Sequence, residues 1–238
     1  MYYYLILNSI DSINANEPNN STFILSNFKK ELVHSKVCLS QVILPALEYP
    51  VNARNNMLVF QEDGVATNLT ATLEVGSYNA TELATQIKTQ LDTIGANTYT
   101  ISYDEISYKY TITTDGTSVK FINDESTCFK LLGFPTTDTS FASSLTSSYP
   151  IRLDGTQFVD IVGSLPSNNL SSDNRPVLYR IPIDSSFGSI IYYKPPNEEW
   201  IDVKGDINTL DLRLIADDGR PYDLPANCEV QYTFQFAK

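Results

Sequence analysis

Histidine is nearly missing from this chain: His34 is the only one among 238 residues. Any Ser/His/Asp triad would have to use it, and nothing around it marks a partner. A structural or surface role is therefore expected for His34. Cysteine is scarce as well. Cys38, Cys128 and Cys228 are odd in number and far apart, with no CxxC or Cys/His ligand spacing. That argues against a zinc site and predicts reduced, mostly buried thiols. Positive charge is short: 16 Lys and Arg stand against 28 Asp and Glu, a formal net charge of -12. Phosphate recognition needs clustered Lys and Arg, so no direct nucleic-acid contact is expected. An acidic balance suits a soluble particle component that must avoid random association. No apolar run is long enough to span a membrane. The opening "MYYYLILNSIDSINANEP" has a short apolar stretch, but no basic residue precedes it and no cleavage-like end follows, so no signal peptide is expected.

Catalytic motifs are missing too. There is no GxSxG, HExxH, P-loop or dinucleotide fingerprint. The acids are scattered over turns, so no carboxylate pair for glycoside cleavage stands out. No catalytic residue, cofactor or metal ligand is expected, and the chain is read as a non-enzyme; an acid hydrolase is the most distant alternative.

What the sequence has in quantity is short alternating runs of Tyr, Thr, Val, Ile and Phe, broken by Asn, Asp, Gly and Pro clusters. That is an all-β signature. Val230, Tyr232, Phe234 and Phe236 share one face, with Glu229, Gln231, Thr233 and Gln235 on the other. Leu210, Leu212 and Leu214 alternate with Asp211 and Arg213 in the same way. "YTISYDEISYKYTITTDG" predicts a hairpin: Tyr99, Ile101 and Tyr103, a polar turn, then Tyr108, Tyr110 and Ile112. "VHSKVCLSQVILPALEYPV" reads as a strand buried on both faces and ended by Pro45. One segment breaks the pattern. Leu83, Ile87, Leu91 and Ile94 recur at helical spacing, Asn79 with Glu82 forms a capping box, and Gly95 is a stop. "CFKLLGFP" predicts one further helical turn closed by Gly133. No stretch looks like an interdomain linker. One β-sandwich domain with an N-terminal arm is expected.

Asp217-Asp218-Gly219 could be taken for a metal or catalytic site. A calcium loop needs six or more oxygens at fixed spacing, whereas here the acids sit between two alternating apolar strands, where Asp-Gly is a hairpin signal. A turn is predicted. Trp200 follows "YYKPPNEE". A lectin-like reading sets Trp200 with Tyr192 or Tyr193 against a sugar face; the competing reading is an exposed loop whose tryptophan packs back onto the sheet.

The order of these features resembles the single jelly-roll penton (minor capsid) proteins of virophages, polinton-like viruses and related double-jelly-roll icosahedral DNA viruses. The resemblance is carried by "LILNSIDS", "STFILSNF", "VCLSQVILPALEYPVN", "VGSYNATELATQIKTQL", "YTISYDEISYKYTI" and "FKLLGF". It continues through "FVDIVGSLPSNNL", "VLYRIPID", "FGSIIYY" and "INTLDLRLIADDGRPYDL". It spans nearly the whole chain and contains no invariant catalytic motif. It implies an all-β, single jelly-roll β-sandwich with one amphipathic helix and an N-terminal arm. Residues 1–22 would be that arm or an edge strand, and 23–238 a single jelly-roll domain; the sequence leaves no room for the large inserted tip domain that some pentons carry, which argues against a receptor-binding role. Apolar runs near 23–28, 36–44, 57–61, 69–75, 99–103, 108–113, 157–162, 177–183, 189–193, 200–203, 207–216 and 229–236 suffice for the eight strands such a fold needs.

The function implied is a structural capsid protein forming a homopentamer at the five-fold vertices of an icosahedral virion, assembled inside the host cell. Its partners would be further copies of itself, a double jelly-roll major capsid protein and other minor capsid proteins. Tyr2, Tyr3, Tyr4, Leu5 and Ile6 are the expected assembly contacts, because such a cluster is rarely left in water. The alternative reading is a β-sandwich carbohydrate-binding or host-attachment module on a virus particle.

Overall fold

A computed structural model describes residues 2–25, 36–165, 169–171, 174–203 and 208–237. His34, residues 26–28 of the first predicted run and residue 207 lie outside the described residues. The chain divides into two compact units: Met1–Glu48 with Thr156–Lys238, and Tyr49–Gly155. The residue pattern predicts one domain over 23–238 with no large insertion; in the structure the chain leaves the first unit after Glu48 and returns at Thr156. Both units are built of the same short alternating strands, and no Pro/Gly/Ser-rich linker marks either crossing, so composition does not separate them.

Strands are numbered here in chain order. The first unit holds β1 (Tyr2–Asn8), β2 (Asn20–Ile24), β3 (Lys36–Pro45), β10 (Phe158–Gly163), β11 (Tyr179–Pro182), β12 (Ile190–Tyr193), β13 (Ile201–Asp202), β14 (Thr209–Ala216) and β15 (Gln231–Ala237). They form two antiparallel sheets, in the orders β1-β15-β3-β12 and β11-β10-β14-β2, with β13 also pairing β3. Setting the two-residue β13 aside, eight strands remain. Counted one to eight along the chain, the sheets run 1-8-3-6 and 5-4-7-2. Two interleaved four-stranded sheets with these long crossings define a jelly roll.

The alternation in sequence explains which face is inward. Leu210, Leu212 and Leu214 on β14 and Tyr232, Phe234 and Phe236 on β15 are buried in one core with Val37, Leu39, Val42 and Leu44 of β3 and Val159 and Ile161 of β10. Phe23 meets Tyr232 edge-on at 6.4 Å between ring centroids, a favoured aromatic geometry. β3 ends at Pro45, as its sequence predicts, and Val37, Cys38 and Leu39 are buried in succession. The pairing of β15 with β3 shifts register between Thr233 and Phe234. Beyond that bulge Phe234, Gln235 and Phe236 are all buried, which the simple alternation does not anticipate.

The second unit holds β4 (Met57–Glu62), β5 (Leu69–Thr72), β6 (Tyr99–Asp104), β7 (Lys109–Thr114), β8 (Val119–Ile122) and β9 (Ser144–Thr146), with helices α1 (Ala80–Ile94) and α2 (Phe129–Leu132). Its sheets are β5-β4-β8 and β6-β7-β9. The hairpin pairs Ile101 with Ile112 and Tyr103 with Tyr110. Tyr108 belongs to its turn, at φ 57°. Two short strands, β8 (VKFI) and β9 (SLT), fall in none of the predicted runs.

Helix α1 starts as predicted: Asn79 accepts the Glu82 N–H at 2.9 Å and Glu82 accepts the Asn79 N–H at 2.9 Å. Leu83, Ile87 and Leu91 are fully buried, with Ala84 beside them. Ile94 is exposed, one place past the buried stripe. Gly95 ends the helix for a different reason from the one expected. Its φ is −80°, not left-handed. A Cβ there would lie 2.3 Å from the Glu62 carboxylate. That nearly buried carboxylate accepts the N–H groups of Ala96 and Asn97, at 2.8 and 3.2 Å, and the Tyr99 hydroxyl at 2.7 Å. Gly133, after α2, does take the left-handed conformation, at φ 75°. A Cβ at Gly133 would meet the Tyr149 carbonyl at 2.1 Å.

Phe234 is 2% exposed at the centre of the jelly-roll core. Replacing it by Asp sets an unpaired charge there, at a cost of several kcal/mol, a large share of the roughly 5–15 kcal/mol that holds a domain together. Phe234→Asp is expected to unfold or to lose a cooperative melt by circular dichroism; an unchanged melting temperature would refute the inward assignment of this face.

Candidate functional site

The acidic pair at the end of β14 is a turn. Gly219 has φ 89°. Its N–H donates to the Ala216 carbonyl at 2.9 Å, and the Ala216 N–H donates to the Arg220 carbonyl at 2.8 Å. The turn does not, however, join β14 to β15. Ile215 bridges Pro221 in the same sheet, and the chain then crosses to the other sheet to form β15. Asp218 accepts from the backbone and side chain of Arg220, at 3.2 and 2.8 Å, and Asp217 accepts the Gln157 N–H at 3.1 Å. No group of three or more His, Cys, Asp or Glu that could hold a metal occurs among the described residues.

What the turn presents is Arg220. Its guanidinium lies 2.5 Å from Glu48, whose side chain is only 5% exposed, and it donates to the Thr156 hydroxyl at 3.3 Å. Thr156 in turn donates to Glu48. These residues sit where the chain leaves and re-enters the jelly roll, and sequence spacing could not have joined them.

Trp200 is partly buried, its ring 6.0 Å from that of Tyr2, and its indole N–H donates to Glu198 at 3.2 Å. This fits the loop tryptophan that packs back on the sheet. Tyr192 is 69% exposed. Tyr193 instead helps line an open cleft of about 420 Å³ in the first unit, with Phe158, Arg180, Asn169, Glu199 and Pro195. Arg180 stacks 3.7 Å over the Phe158 ring and donates both Nε and a terminal nitrogen to the buried Asp160, at 2.7 and 3.0 Å. The cleft's main cation is thus already held by an internal carboxylate. Cys38 and Cys128 are buried. Burial pushes the Cys38 thiol up to about 11, helped by the charge of Glu198, and burial pushes Cys128 up to about 12. Neither presents a reactive thiolate.

The residues expected as assembly contacts lie on β1, the edge strand of its sheet, paired with β15 from Tyr2↔Ala237 to Asn8↔Gln231. The strand divides them. Leu5 points inward and is buried in the core with Leu7. Tyr2, Tyr4 and Ile6 project from the opposite face, 64%, 64% and 58% exposed. Tyr3 is exposed to a lesser degree. The first residues therefore complete the sandwich with one face and leave an aromatic and aliphatic stripe on the other. Sequence reasoning missed the matching stripe on β12, where Ile190 and Tyr192 are both exposed.

These features define the class: an all-β jelly-roll protein whose third and fourth sandwich strands are separated by a second compact unit. A crystal structure of selenomethionine-labelled mavirus penton protein has a similar fold, with a TM-score of 0.53 over 99% of this chain and 99% of that one, at 14% sequence identity. The likeness is one of fold, and it runs through both units. No protein-family model matches the sequence, and no curated protein matches it.

Glu48 and Arg220 provide the test of the turn's role. Removing one partner of a buried ion pair leaves a charge uncompensated and costs about 3–5 kcal/mol. Arg220→Ala is expected to lower the unfolding free energy measured by urea titration by that order, and Asp218→Asn, at an exposed carboxylate, by far less. Equal effects of the two substitutions would show that the Glu48 contact is not what holds this corner.

Proposed function

We propose that this chain is a structural capsid protein, a penton that forms a homopentamer at the five-fold vertices of an icosahedral virion. The observation that supports it is the full-length fold likeness to a viral penton protein. The partners in this reading are four further copies of the chain, a double jelly-roll major capsid protein around the vertex and other minor capsid proteins. No reaction is assigned to it: Asp218 is engaged in holding the β14 turn, Asp217 accepts from the Gln157 backbone, and Cys38 and Cys128 are buried. Assembly takes place in the host cell and the finished protein resides in the virion.

Five chains of formal charge -12 around one axis repel one another. Screening at about 0.15 M salt, where the Debye length is ~8 Å, shortens that repulsion to the contact distance. A ring contact of standard size buries roughly 1,200–2,000 Å² in total. The exposed apolar residues on β1 and β12 offer area of the required kind.

A second reading, glycan attachment, draws on the cleft beside Tyr193, where an aromatic face and polar side chains converge. Native mass measurement separates the two. A species of five times the 26.6 kDa chain mass, formed by the chain alone or with the major capsid protein and favoured by salt, is the expected result. Particle imaging is expected to place it at the five-fold vertices. A strictly monomeric or trimeric chain located elsewhere on the shell refutes the penton reading, and specific micromolar binding on a glycan array would move the assignment to the second.

A further inference from the structure

We propose that neighbouring subunits join head to tail by sheet extension, the free edge of β1 in one copy pairing antiparallel with the free edge of β12 in the next. The inference rests on the ring reading above and names the surfaces that close it. Among the described residues, β1 and β12 are the two ends of one sheet, and no strand pairs with the outer edge of either. An unpaired edge offers a row of backbone donors and acceptors to another chain unless charge, proline or a bulge blocks it. Neither edge has such a block. β1 reads YYYLILN and β12 reads IIYY, without charge or proline, and β1 pairs β15 over seven residues without a register shift.

Strand direction selects a second copy in the same orientation. Successive neighbours in the order β1, β15, β3, β12 are all antiparallel. With four alternating strands, β1 and β12 point in opposite directions. A copy rotated about an axis along the strands keeps its direction, so its β1 arrives antiparallel to β12 of the first. The alternation then continues through the contact. Because each subunit uses two different edges, the contact is heterologous and can close into a ring.

The side chains agree with the backbone. Residues directly paired across a ladder project on the same face. Asn8 pairs Gln231, Gln231 pairs Ile43, and Ile43 pairs Tyr192. Tyr2, Tyr4 and Ile6 alternate with Asn8 on its face, as Ile190 does with Tyr192. In an extended sheet the two exposed stripes therefore meet on one face, as cross-strand neighbours about 5 Å apart. The sandwich's other sheet offers no equivalent contact, since its edge strand β11 carries Arg180 and ends at Pro182. Charge points the same way: in a chain of net charge -12, a self-contact is least opposed where both surfaces carry no charge.

The test is disulfide trapping in the full chain, with the half-buried Cys228 replaced by Ser so that only buried native thiols remain. Tyr192→Cys is combined in turn with Tyr2→Cys, Tyr4→Cys and Ile6→Cys, which covers the possible registers. At least one combination is expected to give, on mild oxidation, a non-reducing ladder that ends at five chains. In a second measurement, Tyr4→Asp and Tyr192→Asp, both at exposed positions, are each expected to keep the melting temperature and weaken self-association at least tenfold. A pentamer by native mass with no ladder in any combination overturns the proposed edges and leaves the ring reading standing. Disulfide dimers from Tyr4→Cys alone overturn it as well, since β1 would then meet β1. A chain that never forms a pentamer, with or without the major capsid protein, removes the ring reading and this inference together.

Discussion

The pairing of β3 with β15 is the constraint on which the jelly roll depends. Residues 36–45 and 231–237 lie at opposite ends of the sequence, yet they form the two inner strands of one sheet. Their inward side chains, Val37, Leu39, Val42 and Leu44 with Tyr232, Phe234 and Phe236, supply much of the core. Burial of that apolar surface is the main favourable term, and it is available only when the chain ends have met. Once they have, β1 is left at one end of the sheet and β12 at the other. The sheet's two edges are thus a consequence of its centre.

The insertion of the second unit adds a second constraint. The chain must leave the sandwich at Glu48 and return at Thr156 without opening it. Arg220, held by the β14 turn, reaches both residues, and the three polar groups satisfy one another where burial would otherwise penalise each. A buried carboxylate does comparable work inside the second unit. Glu62 gathers two backbone N–H groups and the Tyr99 hydroxyl beyond the end of α1, and Gly95 is small because that carboxylate passes so close. In each case a nearly buried carboxylate is engaged in holding the fold.

Acidity and apolar edges are complementary in the proposed role. A strongly negative surface keeps free subunits apart, while uncharged stripes on β1 and β12 leave two places where copies can approach. Salt then tunes the balance between the free chain and the ring, because screened repulsion falls off within a Debye length while apolar contact is little affected.

Local chemistry was legible in the sequence. The capping box at Asn79 and Glu82, the buried face of α1, the hairpin through Tyr103 and Tyr110, the stop at Pro45, the turn at Gly219 and the inward faces of β14 and β15 all follow from neighbours within a few residues, where backbone propensity and side-chain period act directly. Tertiary structure decided the rest. It separated residues 49–155 as a unit, sent the chain from β14 across to the other sheet, sent Leu5 inward while Tyr4 and Ile6 stayed out, and brought Glu48, Thr156 and Arg220 together. Each of these depends on which strand lies beside which, and strand pairing is set by apolar burial between segments far apart in the chain, a quantity that no local window of sequence contains.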